Sequence, residues 1–78
     1  MKSVVMKTLL EVNKGESVVV RELSGGRQFT GQLRTMGVKE GSRVKLVTRE
    51  PFGGPLVIKT GNTTLTLGRG KASKILVE

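Results

Sequence analysis

Along most of this chain apolar residues alternate with polar ones in short runs separated by glycine. A period of two places alternate side chains on opposite faces of a strand, so the pattern predicts half-buried β-strands. Ser17–Leu23 is dense in β-branched residues and puts Val18 and Val20 on one face. Arg43–Arg49 turns Val44 and Leu46 one way and Arg43, Lys45 and Val47 the other. Leu56–Thr60 directs Leu56 and Ile58 inward. Gly61-Asn62 then forms a two-residue connection whose glycine takes the positive φ of a type II′ turn, and Thr63–Leu67 returns with Leu65 and Leu67 inward. The tail predicts a loop or a single helical turn around Ala72, then a closing strand over residues 74–77.

One stretch breaks the alternation. Phe29, Leu33 and Met36 fall at i, i+4 and i+7, the apolar stripe of an amphipathic helix over residues 27–36. Ser24 is its candidate N-cap, and Gly37 its stop, because glycine accepts the left-handed conformation that ends helices. Gly31 costs the helix about 1 kcal/mol relative to alanine, which a close backbone contact would offset. The spacing makes Met36 a core residue; the alternative is a small apolar ledge of Met36 and Gly37 that docks on a partner. Five or six short strands and one helix leave too little core for an open sheet with bare edges. The fold expected is therefore mainly β: one domain over residues 1–78, a small, partly open SH3-like barrel plugged at one end by the helix.

Composition narrows the chemistry. The 78 residues include 14 Lys and Arg against six Glu, giving a net charge of +8, and contain no Cys, His, Trp or Tyr. Lacking cysteine, the chain suits a reducing, cytoplasmic compartment. Lys7 and Glu11 interrupt the apolar residues of the start before they reach the length of a signal peptide, and no apolar run approaches the ~18 residues of a membrane span, so neither export nor insertion is expected. Without thiolate or imidazole there is no ready nucleophile, base or borderline-metal ligand, so the expectation is no enzyme, no cofactor and no metal site. The charge attracts polyanions: nucleic acid, an anionic membrane face or an acidic protein. Nucleic acid is disfavoured, because small barrels that bind single strands stack bases on surface aromatics and only Phe52 is left for that role.

Glu50-Pro51-Phe52-Gly53-Gly54-Pro55 reads first as turn chemistry, with proline preset for the turn, glycines freeing the backbone and Phe52 folded over the barrel mouth. The functional alternative is a rigidly framed apolar tip of Pro51, Phe52, Gly53, Gly54 and Pro55 that docks on a partner. Arg27, Arg34, Lys39 and Arg43 form a solvated rim, or steer an acidic partner.

Taken in order, Leu23-Ser24-Gly25-Gly26, Leu33-Arg34-Thr35-Met36-Gly37-Val38 with Gly41, Pro51-Phe52-Gly53-Gly54-Pro55-Leu56, and Leu67 with Ala72 and Ile75-Leu76-Val77 resemble the FeoA family, the ferrous iron transport protein A domain. The resemblance covers nearly the whole chain from Leu9 onward. It implies an SH3-like barrel and a cytosolic accessory protein of the FeoB-type ferrous iron transporter. The basic rim is expected to hold it near the inner membrane surface, and edge strands able to pair between copies make it a monomer or weak homo-oligomer, with a self-associating structural module as the alternative. The same domain ends some metal-dependent repressors, but no helix-turn-helix is legible in this sequence. Gly68 and Gly70 flank Arg69 where the family has a firmer helical turn.

Overall fold

The structure, a computed structural model, describes residues 7–50 and 52–78. Its elements run β1 (Lys7–Thr8), a 3-10 turn (Leu9–Glu11), β2 (Ser17–Leu23), α1 (Arg27–Thr35), β3 (Arg43–Arg49), β4 (Leu56–Thr60), β5 (Thr63–Leu67), α2 (Arg69–Ala72) and β6 (Ile75–Val77). All neighbouring strands are antiparallel, in the order β1-β6-β2-β3-β4-β5. The mainly β architecture expected from the alternation is thus present, and among the described residues β1 and β5 end the sheet and leave it partly open.

β2 is the strand on which the sheet bends. Its first half pairs with β3, Val18 opposite Val44, and its second half with β6, Leu23 opposite Ile75. Between them the register slips by one residue at Arg21. Such a bulge leaves one residue unpaired, increases the local twist and shifts the alternation by one. Val18 and Val20 are accordingly buried, Glu22 is exposed, and Leu23, of opposite parity, packs against the core. A second bulge at Val47 acts likewise on β3, where Leu46 pairs with Ile58 but Thr48 pairs with Val57. It gives Arg49 inward parity opposite the buried Leu56, and the guanidinium donates to the Val12 carbonyl at 3.1 Å.

One core results. Leu9 and Val12 enter it from the N-terminal segment, Val18 and Val20 from β2, Leu33 and Val38 from α1 and its exit, and Val44, Leu46, Leu56 and Ile58 from β3 and β4. Leu67, Ala72, Ile75 and Val77 close it. The helical turn α2 does form around Ala72 despite its flanking glycines, and the Ser73 hydroxyl donates to the Gly70 carbonyl at 2.7 Å. The chain enters this core through the 3-10 turn that precedes Val12. A capping box holds the 3-10 turn there: the Thr8 hydroxyl accepts from Leu10 N–H, and Glu11 Oε2 accepts from Thr8 N–H at 3.1 Å.

Helix α1 departs from expectation at three positions. Gly26, not Ser24, is the N-cap, because the Ser24 N–H is held by the Lys74 carbonyl at 2.7 Å and so belongs to the β2–β6 side of the fold. No close contact offsets Gly31: a Cβ placed there meets nothing within 4 Å. Gly31→Ala is therefore expected to raise unfolding stability by about 0.5–1 kcal/mol, read as a higher urea midpoint at unchanged slope. Met36, finally, is not a core residue. It caps the helix and is 38% exposed. The reason is a Schellman stop, in which Val38 N–H donates to Leu33 O at 2.8 Å and Gly37 N–H to Arg34 O at 3.0 Å, with Gly37 at φ +90°. This turn drops Val38 into the core slot next to Leu33 and leaves Met36 outside.

Candidate docking surface

The β3–β4 connection is closed from within. Glu50 N–H reaches the Pro55 carbonyl at 3.5 Å, and a Cβ on Gly54 would lie 2.6 Å from the Glu50 Cβ, so only glycine permits this approach of the two strands of chain. Phe52 does not fold over the barrel mouth; it is 98% exposed. The base of the loop explains why. Leu56 and Leu67 pair there and are already buried, and the Arg69 stem comes within 3.7 Å of where a Gly53 Cβ would sit. These two leucines are thus covered without the ring. Gly53 and Pro55 are also exposed and Gly54 is half-buried, whereas Pro51 lies outside the described residues. Burying a phenylalanine side chain contributes about 1.5–3 kcal/mol, which stays available to a partner here.

Met36 and Gly37 form the second apolar feature. Their loop enters β3 at Arg43 and the Phe52 loop leaves it at Arg49, so the two connections sit at opposite ends of a strand about 20 Å long. The structure does not merge them into one patch.

The four rim cations differ in their surroundings. Arg34 forms an ion pair with Glu40, its Nη2 lying 3.3 and 3.2 Å from the two carboxylate oxygens. Hydrogen bonding to its own backbone and to this guanidinium holds the Glu40 carboxyl below its ordinary value of 4.5. Arg27, Lys39 and Arg43 are exposed. Lys39 sits in a turn fixed by Ser42, whose hydroxyl accepts from Lys39 N–H and donates to the Gly37 carbonyl. Away from this rim, Asn13 N–H and then Lys7 hold the Glu16 carboxyl low as well. The other phenylalanine, Phe29, packs against the core with the Lys74 ammonium 5.9 Å from its ring centroid.

Among the described residues no pocket opens, no trio of His, Cys, Asp or Glu could hold a metal ion, and no helix is long and apolar enough to cross a membrane. Two features escaped the sequence pattern. Arg49 ties β3 to the N-terminal turn, and only the Val47 bulge gives it that direction. Thr8 and Glu11 anchor that turn, although the T-x-x-E spacing at Thr8-Leu9-Leu10-Glu11 is itself a helix-start signal.

Known proteins share this arrangement. A protein of Methanocaldococcus jannaschii named as a candidate Fe(2+) transport protein A is 34% identical over 73 residues, 94% of this chain and 87% of that one. The solution structure of iron(II) transport protein A from Clostridium thermocellum is 30% identical with a TM-score of 0.83, covering 91% of this chain and 44% of that one. The crystal structure of Stenotrophomonas maltophilia FeoA complexed with zinc is 28% identical with a TM-score of 0.79, covering 91% and 88%. That protein is described as an SH3 domain protein and a candidate ferrous iron transport activating factor. The bent six-stranded sheet is thus SH3-like, and since residues 7–78 match the FeoA domain family, this chain belongs to it.

Proposed function

We propose that this protein is a non-enzymatic, cytoplasmic accessory factor of ferrous iron uptake that docks on the cytoplasmic part of a FeoB-type transporter and modulates it. Phe52 is the observation that supports docking most strongly: a ring 98% exposed on a loop whose glycines and internal hydrogen bond fix its frame. Anchors of this kind, aromatic and presented without ordering cost, carry a large share of interface energy. Gly53, Gly54 and Pro55 frame the tip, with Pro51 as their neighbour in sequence, and Met36 and Gly37 supply a second contact. Arg27, Lys39 and Arg43 speed encounter with an acidic surface and favour the anionic face of the inner membrane. Among the described residues Phe52 is also the one aromatic side chain open to solvent, a single stacking platform, which disfavours a nucleic-acid role.

Capture by the cytoplasmic G-protein domain of the transporter tests this. Phe52→Ala is expected to weaken binding by about tenfold or more, Met36→Ala by less, each with an unchanged unfolding midpoint. Equal capture of both variants and the parent overturns the assigned faces. No capture of the parent overturns the function.

A further inference from the structure

The sheet has a second feature that the Phe52 tip does not use. β5 is an edge strand among the described residues: β4 pairs with it along its whole length and none of them pairs with its other side. Native edges are usually blunted by charge, proline or a bulge. Thr63–Leu67 has none of these; it reads Thr-Thr-Leu-Thr-Leu, in unbroken register from Thr60↔Thr63 to Leu56↔Leu67.

Antiparallel pairing decides which backbone groups this edge offers. In a two-residue hairpin the residues flanking the turn, Thr60 and Thr63, exchange both hydrogen bonds, and bonded pairs then recur at alternate positions. Thr63, Leu65 and Leu67 are spent on β4 in this way. Thr64 and Thr66 direct their N–H and C=O groups outward, and no turn, loop or side-chain hydrogen bond among the described residues reaches them. Their side chains are exposed too.

Charge on the same face names the occupant. The register lines Thr64 up with Lys59, Lys59 with Lys45 and Lys45 with Ser17 in one row across the outer surface. Lys45 and Lys59 are both exposed and directly opposite, an arrangement of like charges that costs stability. Across β3, β4 and β5 the sequence carries Arg43, Lys45, Arg49 and Lys59 and no carboxylate. Strands are about 4.8 Å apart, so a lysine ammonium on β4 reaches a side chain on a strand added beyond β5. A second copy, itself at +8, would meet this row with repulsion.

We infer that β5 is a strand-addition site for an extended, acidic segment of a partner protein, with main-chain bonds to Thr64 and Thr66 and a carboxylate facing Lys59, behind which Lys45 adds to the positive field. This deepens the docking reading by stating the chemistry of one partner segment. It does not depend on which protein carries that segment. Because Leu67 pairs with Leu56 at the base of the Phe52 loop, the edge runs up to the tip, and one partner can engage both.

The probe is a synthetic octapeptide of alternating Glu and Val, followed by backbone amide exchange and chemical shifts on the full chain. Slower exchange of the Thr64 and Thr66 amides is expected, with residues of α1 unaffected. The same peptide N-methylated on alternate residues, which cannot add as a strand, is expected to bind at least tenfold more weakly. A Lys-for-Glu peptide is expected not to bind. Thr66→Pro removes one outward N–H without touching the β4 ladder and should abolish the protection; Lys59→Glu should weaken binding about tenfold. If the proline variant fails to fold, the N-methylated peptide still decides. Binding without protection at Thr64 and Thr66, equal binding of the N-methylated peptide, or protection that grows with protein concentration in the absence of peptide overturns the inference, the last in favour of self-pairing. Retained protection in a protein that the transporter domain fails to capture overturns the proposed function and leaves this site standing.

Discussion

Leu46→Ala is expected to lower the unfolding free energy by about 3 kcal/mol, within the range of about 2–5 kcal/mol seen for leucine truncation in cores. Leu46 is fully buried on the strand shared by the two central pairings, with Ile58 opposite it on β4. Domains of this size rarely draw more than about 3–5 kcal/mol from their core, so the loss removes most of the margin. Urea unfolding followed by circular dichroism will show it as a collapse of the midpoint, and heating as a fall in Tm of about 12–24 °C. Val47→Ala, one residue on, is expected to cost about 0.5 kcal/mol or less, because Val47 is the bulged residue and 37% exposed. Equal costs at the two positions would mean that the bulge, and with it the inward direction of Arg49, is misplaced.

That contrast also shows where the sequence was legible. The bounds of β2 through β5 follow from alternation and glycine punctuation, and the structure reproduces Ser17–Leu23, Arg43–Arg49, Leu56–Thr60 and Thr63–Leu67 as read. Local rules suffice there because each strand has one wet and one dry face. At Gly61, φ is +58° and Asn62 keeps a negative φ, as a type II′ connection requires. The bulges at Arg21 and Val47 are different in kind. They arise because one strand must serve two partners around a closed core, which is a property of the whole sheet and leaves no glycine or proline to mark it.

The candidate site was legible in part, and the misreadings share a cause. Helical spacing places Met36 on the same stripe as Phe29 and Leu33, yet the Schellman turn begins before the stripe is complete and Val38 takes the inner position. Phe52 was expected to cover apolar surface that Leu56 and Leu67 bury without help. In both cases a periodic or compositional rule assigned a side chain to a core that was already full. Met36 and Phe52 therefore stand outside for the same packing reason, and both exposures follow from a small core that closes without them.

Leu33→Ala is expected to cost about 2–4 kcal/mol and, unlike Leu46→Ala, to act through the helix. Leu33 is the one residue of α1 that is fully buried; Phe29 only packs against the core's margin. An isolated helix of nine residues is not stable in water, since nucleation is unfavourable and stability comes from packing of the apolar face. Gly31 within it, an N-cap without a side-chain hydrogen bond and the absence of an acidic residue in its first turn weaken it further. Leu33 also takes part in the stop, because its carbonyl accepts from Val38 N–H and both side chains enter the core together. Truncation should therefore release α1 and the 36–42 connection as a unit while the ladder from β3 to β5 persists. Amide exchange separates the two cases: the amides of residues 30–38 lose protection well before those of β4 in Leu33→Ala, whereas in Leu46→Ala all fall together. Uniform loss in both variants would mean that α1 is integral to the barrel's cooperativity. Retained protection at Thr30 and Met36 in a folded Leu33→Ala variant would mean that the helix is held by something other than its single buried leucine.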